Sequence, residues 1–280
     1  ERKGTLKVYD PAIGGVKVVG SLSVNTWGNN EQGLVSVSFD PKFAENGWIY
    51  LAYVETGRDP ATSMTVVVRG RIRDGAWVDQ QDIFRGPPES YVKGWTHYGS
   101  RFLFDREERL LFTIGERGVP EAAQDPASPL GKIHRLNDNG SIPQDNPFVR
   151  RAAGAKPEVY TLGHRSSLGL AVNPSTGEMW LNENGPNGGD ELNILKAGTN
   201  YGWPLATHGV NYDGSKITDH ASLPGMEDPL RWWVPSISPC GLAFYTGNAF
   251  PAWQGSAFTG ASPERVGRGG SWYDEELHFF

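Results

Sequence analysis

Four times along the chain a short apolar run, a polar turn and a second apolar run follow one another in the same order. Val35-Ser-Val-Ser-Phe39 leads through Asp40-Pro41 to Gly47-Trp-Ile-Tyr-Leu-Ala-Tyr53, and Arg101-Phe-Leu-Phe104 leads through Asp105-Arg106 to Arg109-Leu-Leu-Phe-Thr-Ile114. Gly169-Leu-Ala-Val172 leads through Asn173-Pro174 to Gly177-Glu-Met-Trp-Leu181, and Gly241-Leu-Ala-Phe-Tyr245 leads through Thr246-Gly247 to Gly255-Ser-Ala-Phe-Thr259. Apolar runs of this length are too short for helices, and they are continuous rather than alternating, as in strands buried on both faces. A β-meander repeated at wide intervals is the signature of a β-propeller, whose sheets stack around a central channel. A β-sandwich would not need self-similar units. The 36 glycines and 20 prolines interrupt every candidate helix, so the expected fold is all-β, in one domain.

Other classes fall away on composition. The 26 basic residues are scattered and the net charge is −6, which argues against a nucleic-acid partner. No stretch approaches 18 consecutive apolar residues, so no membrane span is expected. Cys240 is the single cysteine, which excludes an internal disulfide and a cysteine-based metal site. Its apolar setting reads as packing rather than as a nucleophile. The opening Glu1-Arg-Lys-Gly-Thr-Leu-Lys-Val-Tyr9 reads as part of a strand pair, with no secretory leader before it.

Two kinds of segment point to chemistry. Asn184-Gly-Pro-Asn-Gly-Gly-Asp-Glu191, followed by Asn200-Tyr-Gly-Trp-Pro204, sets Asp190 and Glu191 behind a glycine-rich loop. Such a loop can aim several carbonyls at one point, and hard cations such as Ca²⁺ take mixed carboxylate and carbonyl oxygens. The ordinary reading is a solvated turn. The second kind lies just before the first strand of each repeat: Glu31-Gln32, His97, Arg165 and Ser236-Ile-Ser-Pro239. An imidazole can serve as a general base, and a guanidinium offers a fixed fork of donors to carboxylates or developing negative charge. Each has a structural alternative, a strand cap for His97 and a salt bridge for Arg165, while His164 reads as packing. Together they suggest a polar ring at one end of a channel. No dinucleotide fingerprint, P-loop, zinc-protease motif or nucleophile elbow is present.

The chain resembles the pyrroloquinoline quinone (PQQ)-dependent aldose sugar dehydrogenases, relatives of soluble quinoprotein glucose dehydrogenase. The resemblance is carried by Gln32-Gly-Leu through Asp40-Pro-Lys-Phe43, His97-Tyr-Gly-Ser-Arg-Phe102, Thr113-Ile-Gly-Glu-Arg-Gly118, Leu130-Gly-Lys-Ile-His-Arg135, Gly163-His-Arg165 and Pro235-Ser-Ile-Ser-Pro-Cys-Gly-Leu-Ala-Phe-Tyr245. It implies a six-bladed propeller that oxidises the C1 hydroxyl of an aldose to a lactone, with hydride transfer to PQQ and re-oxidation by an external electron acceptor. His97 is then the base and Arg165 the cation beside PQQ, with Gln32, Ser166 and Tyr212 around the cofactor. The carbonyls of Gly185 and Pro186 hold a PQQ-bound Ca²⁺, and Glu191 with the backbone of Tyr201, helped by Asp190, holds a structural one. A periplasmic or secreted location follows from the same resemblance.

The sequence departs from the family pattern at Glu31, where the family usually has glutamine, at Ser166, where it has asparagine, and at Cys240, where serine is common. Against the family, residues 1–261 are expected to supply about four and a half of six blades, incomplete at both ends, and 262–280 to form a divergent tail without a strand pattern. The missing later segments include basic residues that would grip PQQ carboxylates. Open blade edges invite self-association, with a homodimer as the assembly considered. The rival functional readings are a non-catalytic propeller that binds a carbohydrate or protein partner, and a metal-dependent lactonase.

Overall fold

The computed structural model describes residues 1–27, 32–150, 154–261 and 276–279; Glu31 lies outside them. Its strands form five antiparallel sheets, each threaded in sequence order. A hairpin of β1 (Thr5–Asp10) and β2 (Gly15–Ser21) comes first. The second sheet contains β3 (Leu34–Phe39), β4 (Ile49–Thr56), β5 (Thr62–Arg73) and β6 (Ala76–Phe84), with β7 (Val92–Lys93) added to β5. The third runs β8 (Phe102–Phe104), β9 (Leu110–Ile114), β10 (Lys132–Leu136), β11 (Val159–Leu162). The fourth runs β12 (Ser166–Val172), β13 (Met179–Asn184), β14 (Asp190–Ile194), β15 (Arg231–Trp233). The fifth holds β16 (Cys240–Phe244), β17 (Ala257–Ala261) and β18 (Glu276–Phe279).

Each of the four repeats is a hairpin that opens its sheet: β3–β4, β8–β9, β12–β13 and β16–β17. The leading strands touch in order, β3 against β8, β8 against β12, and β12 against β16. That succession of meanders is a propeller-like all-β arrangement. The one α-helix among the described residues is the single turn Phe43–Asn46. One expectation fails. The tail, expected to lack a strand pattern, holds a strand at Glu276–Phe279 that pairs antiparallel with Phe258–Ala261. Leu277 and Phe279 alternate with charged or polar neighbours, a run too short to stand out without its partner strand.

In β4 and β9, burial on both faces explains the continuous apolar runs. In β9, Leu110, Phe112 and Ile114 pack with Tyr50, Met64 and Val67 of the second sheet. Leu111 points the other way, into a cluster with Ile133, Leu170, Leu181 and Tyr201. The strand period of two thus sends alternate residues into two different inter-sheet cores. In β4 the same alternation sends Tyr50 and Ala52 toward the third sheet, and Ile49, Leu51 and Tyr53 into a cluster with Leu6 and Leu22 of the first hairpin and its exit.

The polar turns of the first three repeats share one device. Asp40, Asp105 and Asn173 each accept, through Oδ1, the backbone N–H two residues on, from Lys42, Glu107 and Ser175 respectively. A short side-chain acceptor here mimics a backbone turn, which is why Asp and Asn recur at these positions. These turns close one end of each hairpin. The chemistry-bearing residues gather at the other.

Candidate active site

At that other end, hydrogen bonds and short backbone steps join Gln32, His97, Arg165 and Ser236, one residue from each position that the sequence suggested as a polar ring. Gln32 is buried, and its Nε2 donates to the Tyr98 hydroxyl at 2.8 Å. Tyr98 also meets Ser63 Oγ at 2.7 Å and lies beneath the Arg117 guanidinium, so its ring is fixed from both sides. The next link starts from His97, the neighbour of Tyr98, whose Nδ1 pairs with Glu116 Oε1. The Glu116 backbone N–H donates to the Arg165 carbonyl at 2.9 Å. The Arg165 guanidinium donates through Nη1 to the carbonyls of Asn184 at 3.0 Å and Gly185 at 2.5 Å. Finally the Gly185 N–H reaches Asp190 Oδ1 at 2.8 Å, and Asp190 Oδ2 accepts from Ser236 Oγ at 2.6 Å.

His97 stands on special backbone, with φ of +56°. His, Asn and Asp are the non-glycine residues most often found there. Its loop is pressed against the end of β9. A Cβ on Gly115 would lie 2.2 Å from the His97 carbonyl oxygen and 2.9 Å from that of Arg165, so only glycine lets the three segments meet. Glu116 is buried, and its Oε1 also accepts the Gly118 N–H at 3.0 Å. A carboxylate can only accept, so it holds the His97 proton on Nδ1 and leaves Nε2 as the basic nitrogen. The His97 side chain keeps 16% exposure against 2% for Glu116, the arrangement that an outward-facing base with an inward-facing orienter would need. Replacing Glu116 with glutamine is expected to lower kcat about ten- to hundredfold with KM little changed, the cost of one charge-assisted hydrogen bond. Steady-state kinetics with added cofactor checks it; an unchanged kcat would remove Glu116 from this role.

The same dyad occurs a second time. His164 Nδ1 pairs with Glu183 Oε1 at 2.8 Å, and both pairs span 19 residues. The two dyads are 67 residues apart (164 − 97 and 183 − 116), one repeat. This corrects the register of the repeats: His164, not Arg165, is the counterpart of His97, and Arg165 is the counterpart of Tyr98. The two copies have different environments. His164 is fully buried, donates or accepts at Thr161 Oγ1, and stacks on Tyr201 at 4.8 Å. Glu183 Oε2 accepts the Arg165 N–H at 2.8 Å, so the buried copy fixes the backbone from which the guanidinium projects. The expectation that His164 packs holds, with this positioning role added.

More bonds secure the Arg165 segment. Gly163 N–H donates to Ala123 O at 2.9 Å, and Trp203 N–H donates to Gly163 O at 3.0 Å. The buried Lys132 ammonium donates to the carbonyls of Ala122, Ala123 and Leu130 at 2.7, 3.0 and 2.7 Å, tying the loop behind Gly163 to β10. Arg165 itself is 7% exposed, and its Nη2 lies 3.4 Å from the Tyr212 hydroxyl. Tyr212 is 72% exposed and reaches Arg165 through that long contact. Ser166 is buried and sits directly across from Asn184 in the β12–β13 ladder.

The glycine-rich loop divides its acidic residues. Asp190 is completely buried, and both its oxygens are taken by donors of the protein. Glu191 stands opposite Glu183 across β13 and β14, with Asn193 Nδ2 donating to both carboxylates. Burial, and then the Glu183 charge, pushes the Glu191 carboxyl well above the ordinary carboxylate range. Tyr201 is buried beside this pair, and its hydroxyl donates to Ile194 O at 2.7 Å. Pro186 packs against Gly209, where a Cβ would come within 2.8 Å of it.

Sequence reasoning missed Glu116, Glu183 and Tyr98 as parts of this site, and gave Asn184 no role of its own within the loop it opens. The signal for the two glutamates was available. Each lies at the end of the second strand of its hairpin, 19 residues after a histidine, in adjacent repeats.

Comparison with known proteins decides the family. The glucose/sorbosone dehydrogenase profile matches residues 1–265. The chain belongs to the glucose/sorbosone dehydrogenase family. It is 40% identical over 245 residues to the aldose sugar dehydrogenase YliI of Escherichia coli (strain K12), covering 86% of this chain and 65% of the relative. The chain therefore spans just under two thirds of that relative's length. A crystal structure of a glucose dehydrogenase superposes with a TM-score of 0.88 at 37% identity, over 99% of this chain and 81% of that one. The PQQ-bound form of an aldose sugar dehydrogenase from Streptomyces coelicolor superposes with a TM-score of 0.73 at 25% identity, over 99% of this chain and 75% of that one.

Proposed function

We propose that this chain carries the site of a PQQ-dependent aldose dehydrogenase, built on a propeller of the six-bladed type, that oxidises the C1 hydroxyl of an aldose to the lactone. The observation that carries the reading is the His97–Glu116 dyad, joined through one peptide to the buried, cationic Arg165. PQQ-bound and glucose-dehydrogenase relatives of the same fold support the choice of cofactor and substrate class.

The residues present fit the cofactor and its ion. Arg165 offers a rigid cationic fork, suited to a ligand rich in carboxylates. Gly185 presents its carbonyl at the same point, Pro186 follows, and the buried Asn184 Oδ1 beside them has no hydrogen-bond partner. An oxygen acceptor without a donor, as at Asn184 Oδ1, is what a hard cation such as Ca²⁺ takes up. Gln32, Ser166 and Tyr212 complete the surround. A second Ca²⁺ suits Glu191 and the Tyr201 backbone, where two buried carboxylates oppose each other and positive charge is favoured. Asp190 drops out of both ion sites, since its lone pairs are already committed.

Oxidation of the C1 hydroxyl removes a proton from oxygen and a hydride from carbon. The chain's own share is the proton: His97 takes it at Nε2, and Glu116 stabilises the imidazolium that results. PQQ, when bound, supplies the two-electron acceptor, and Ca²⁺ the Lewis acid that polarises it. Arg165 holds positive charge beside the negative charge that develops. An external electron acceptor completes the cycle, in a periplasmic or secreted setting, with a homodimer as the assembly. Aldose-dependent dye reduction by the purified chain with PQQ and Ca²⁺ tests the reading, and a chain that binds no PQQ refutes it.

A further inference from the structure

We infer that Asp190 is a positioning residue and not a cation ligand: its carboxylate clamps the 185–189 loop of one sheet to the 236–238 turn that enters the next. The inference rests on the proposed reading of the site for its consequence, the placing of the Gly185 carbonyl at Arg165, but the clamp itself stands on geometry. Asp190 is completely buried at the start of β14. Oδ1 accepts the Gly185 N–H at 2.8 Å. Oδ2 accepts three donors: Ser236 Oγ at 2.6 Å, the Ile237 N–H at 2.7 Å and the Ser238 N–H at 2.8 Å. An ionised carboxylate has about four acceptor positions, and four donors fill them.

The two segments so joined are remote in sequence and belong to different sheets. The 185–189 loop links β13 to β14, and residues 236–238 lie between β15 and β16. Both turn through left-handed backbone, which glycine takes without cost and serine does not. Gly188 and Gly189 have φ of +77° and +74°, and Ser238 has φ of +47°, rare for a residue with a side chain. The loop is folded so closely that a Cβ on Gly185 would lie 2.3 Å from the Gly189 carbonyl oxygen and 2.4 Å from that of Gly188. Its far end is held by the Gly189 N–H on Trp233 O at 2.8 Å. Asp190 fixes the near end, and with it the carbonyl that Arg165 Nη1 contacts at 2.5 Å. A buried carboxylate whose acceptor positions are filled by donors of the protein needs no metal to satisfy them. The adjacent Glu191, facing Glu183, is the contrasting case of a carboxylate short of positive charge.

Hydrogen exchange on the full chain tests the clamp without reference to activity. Asp190→Asn is expected to speed amide exchange at Gly185, Ile237 and Ser238 about tenfold or more, two distant segments loosening together, as loss of a charged acceptor implies. Ser236→Ala, a milder change, should loosen the same amides in the same direction. In a titration with PQQ at a Ca²⁺ concentration that just saturates the unaltered chain, both variants should raise the dissociation constant, and the double variant should be no weaker than Asp190→Asn alone, because Ser236 acts through Asp190. A direct ion ligand would behave otherwise: extra Ca²⁺ would restore Asp190→Asn fully, and Ser236→Ala would have no effect. That result, or unchanged exchange in both segments, overturns the inference. If the unaltered chain binds no PQQ, the proposed cofactor is wrong, and the exchange data still decide whether the clamp exists.

Discussion

Replacing His97 with asparagine is expected to lower kcat for aldose oxidation about 10²–10⁴-fold, the usual contribution of a positioned general base, with PQQ affinity changed only a few-fold. Asparagine is the right substitute because it tolerates the left-handed backbone at this position, where φ is +56°. Alanine would add backbone strain to the lost function and blur the result. The variant leaves the buried Glu116 without the imidazole on its Oε1, so some stability will be lost as well. Adding Glu116→Gln removes that uncompensated charge and is expected to recover stability but not kcat. Thermal unfolding and single-turnover kinetics separate the two effects. Recovery of turnover in the double variant would mean that His97 matters only as a partner for Glu116.

Replacing Arg165 with methionine is expected to weaken PQQ binding about 10²–10⁴-fold. Hydrogen bonds to charged groups contribute about 1.5–3 kcal/mol each, every 1.4 kcal/mol is about tenfold, and a bidentate carboxylate contact uses two. Methionine keeps much of the volume in a side chain that is 7% exposed, so packing is spared. The guanidinium also bridges Asn184 O and Gly185 O. Its loss therefore unties the glycine-rich loop from β12. Lysine in its place should recover only part of the affinity, because a point charge cannot span two carbonyls and a ligand carboxylate in one plane. Tyr212→Phe should change little by comparison, since the hydroxyl meets Arg165 at 3.4 Å from an exposed ring. Equal affinity in Arg165→Met and the unaltered chain would take Arg165 out of the cofactor site.

The fold was legible where one physical rule acts strongly on many neighbouring residues. All four repeats became hairpins; burial on two faces accounts for the unbroken apolar runs of β4 and β9, and the turn residues Asp40, Asp105 and Asn173 mark where three of the hairpins fold back. His97 and Arg165 could be singled out from position alone, since residues just before a leading strand share one end of a propeller. Their partners could be found only from a spacing shared between repeats, histidine and glutamate 19 residues apart, and not from position. A glutamate in Ile114-Gly-Glu116 has no local mark of its contact, because the contact is made 19 residues back across a turn. Asp190 shows the limit more sharply. Its place behind a glycine-rich loop is what a cation ligand would have, yet four donors, three of them from residues 236–238, occupy it. Residue type tells what a carboxylate can accept, and only the fold tells which donors arrive first. The strand at Glu276–Phe279 was hidden for a similar reason, as its pairing with β17 comes from the partner rather than from its own pattern.

The most direct test is to supply the purified chain with PQQ and Ca²⁺ and follow reduction of an artificial dye by an aldose and by the same aldose deuterated at C1. The account predicts dye reduction that requires all three components, slows with the deuterated sugar, and falls about 10²-fold or more in His97→Asn. A chain that binds PQQ but turns over at the same rate with and without the His97 imidazole would contradict it, as would a chain that binds no PQQ at all.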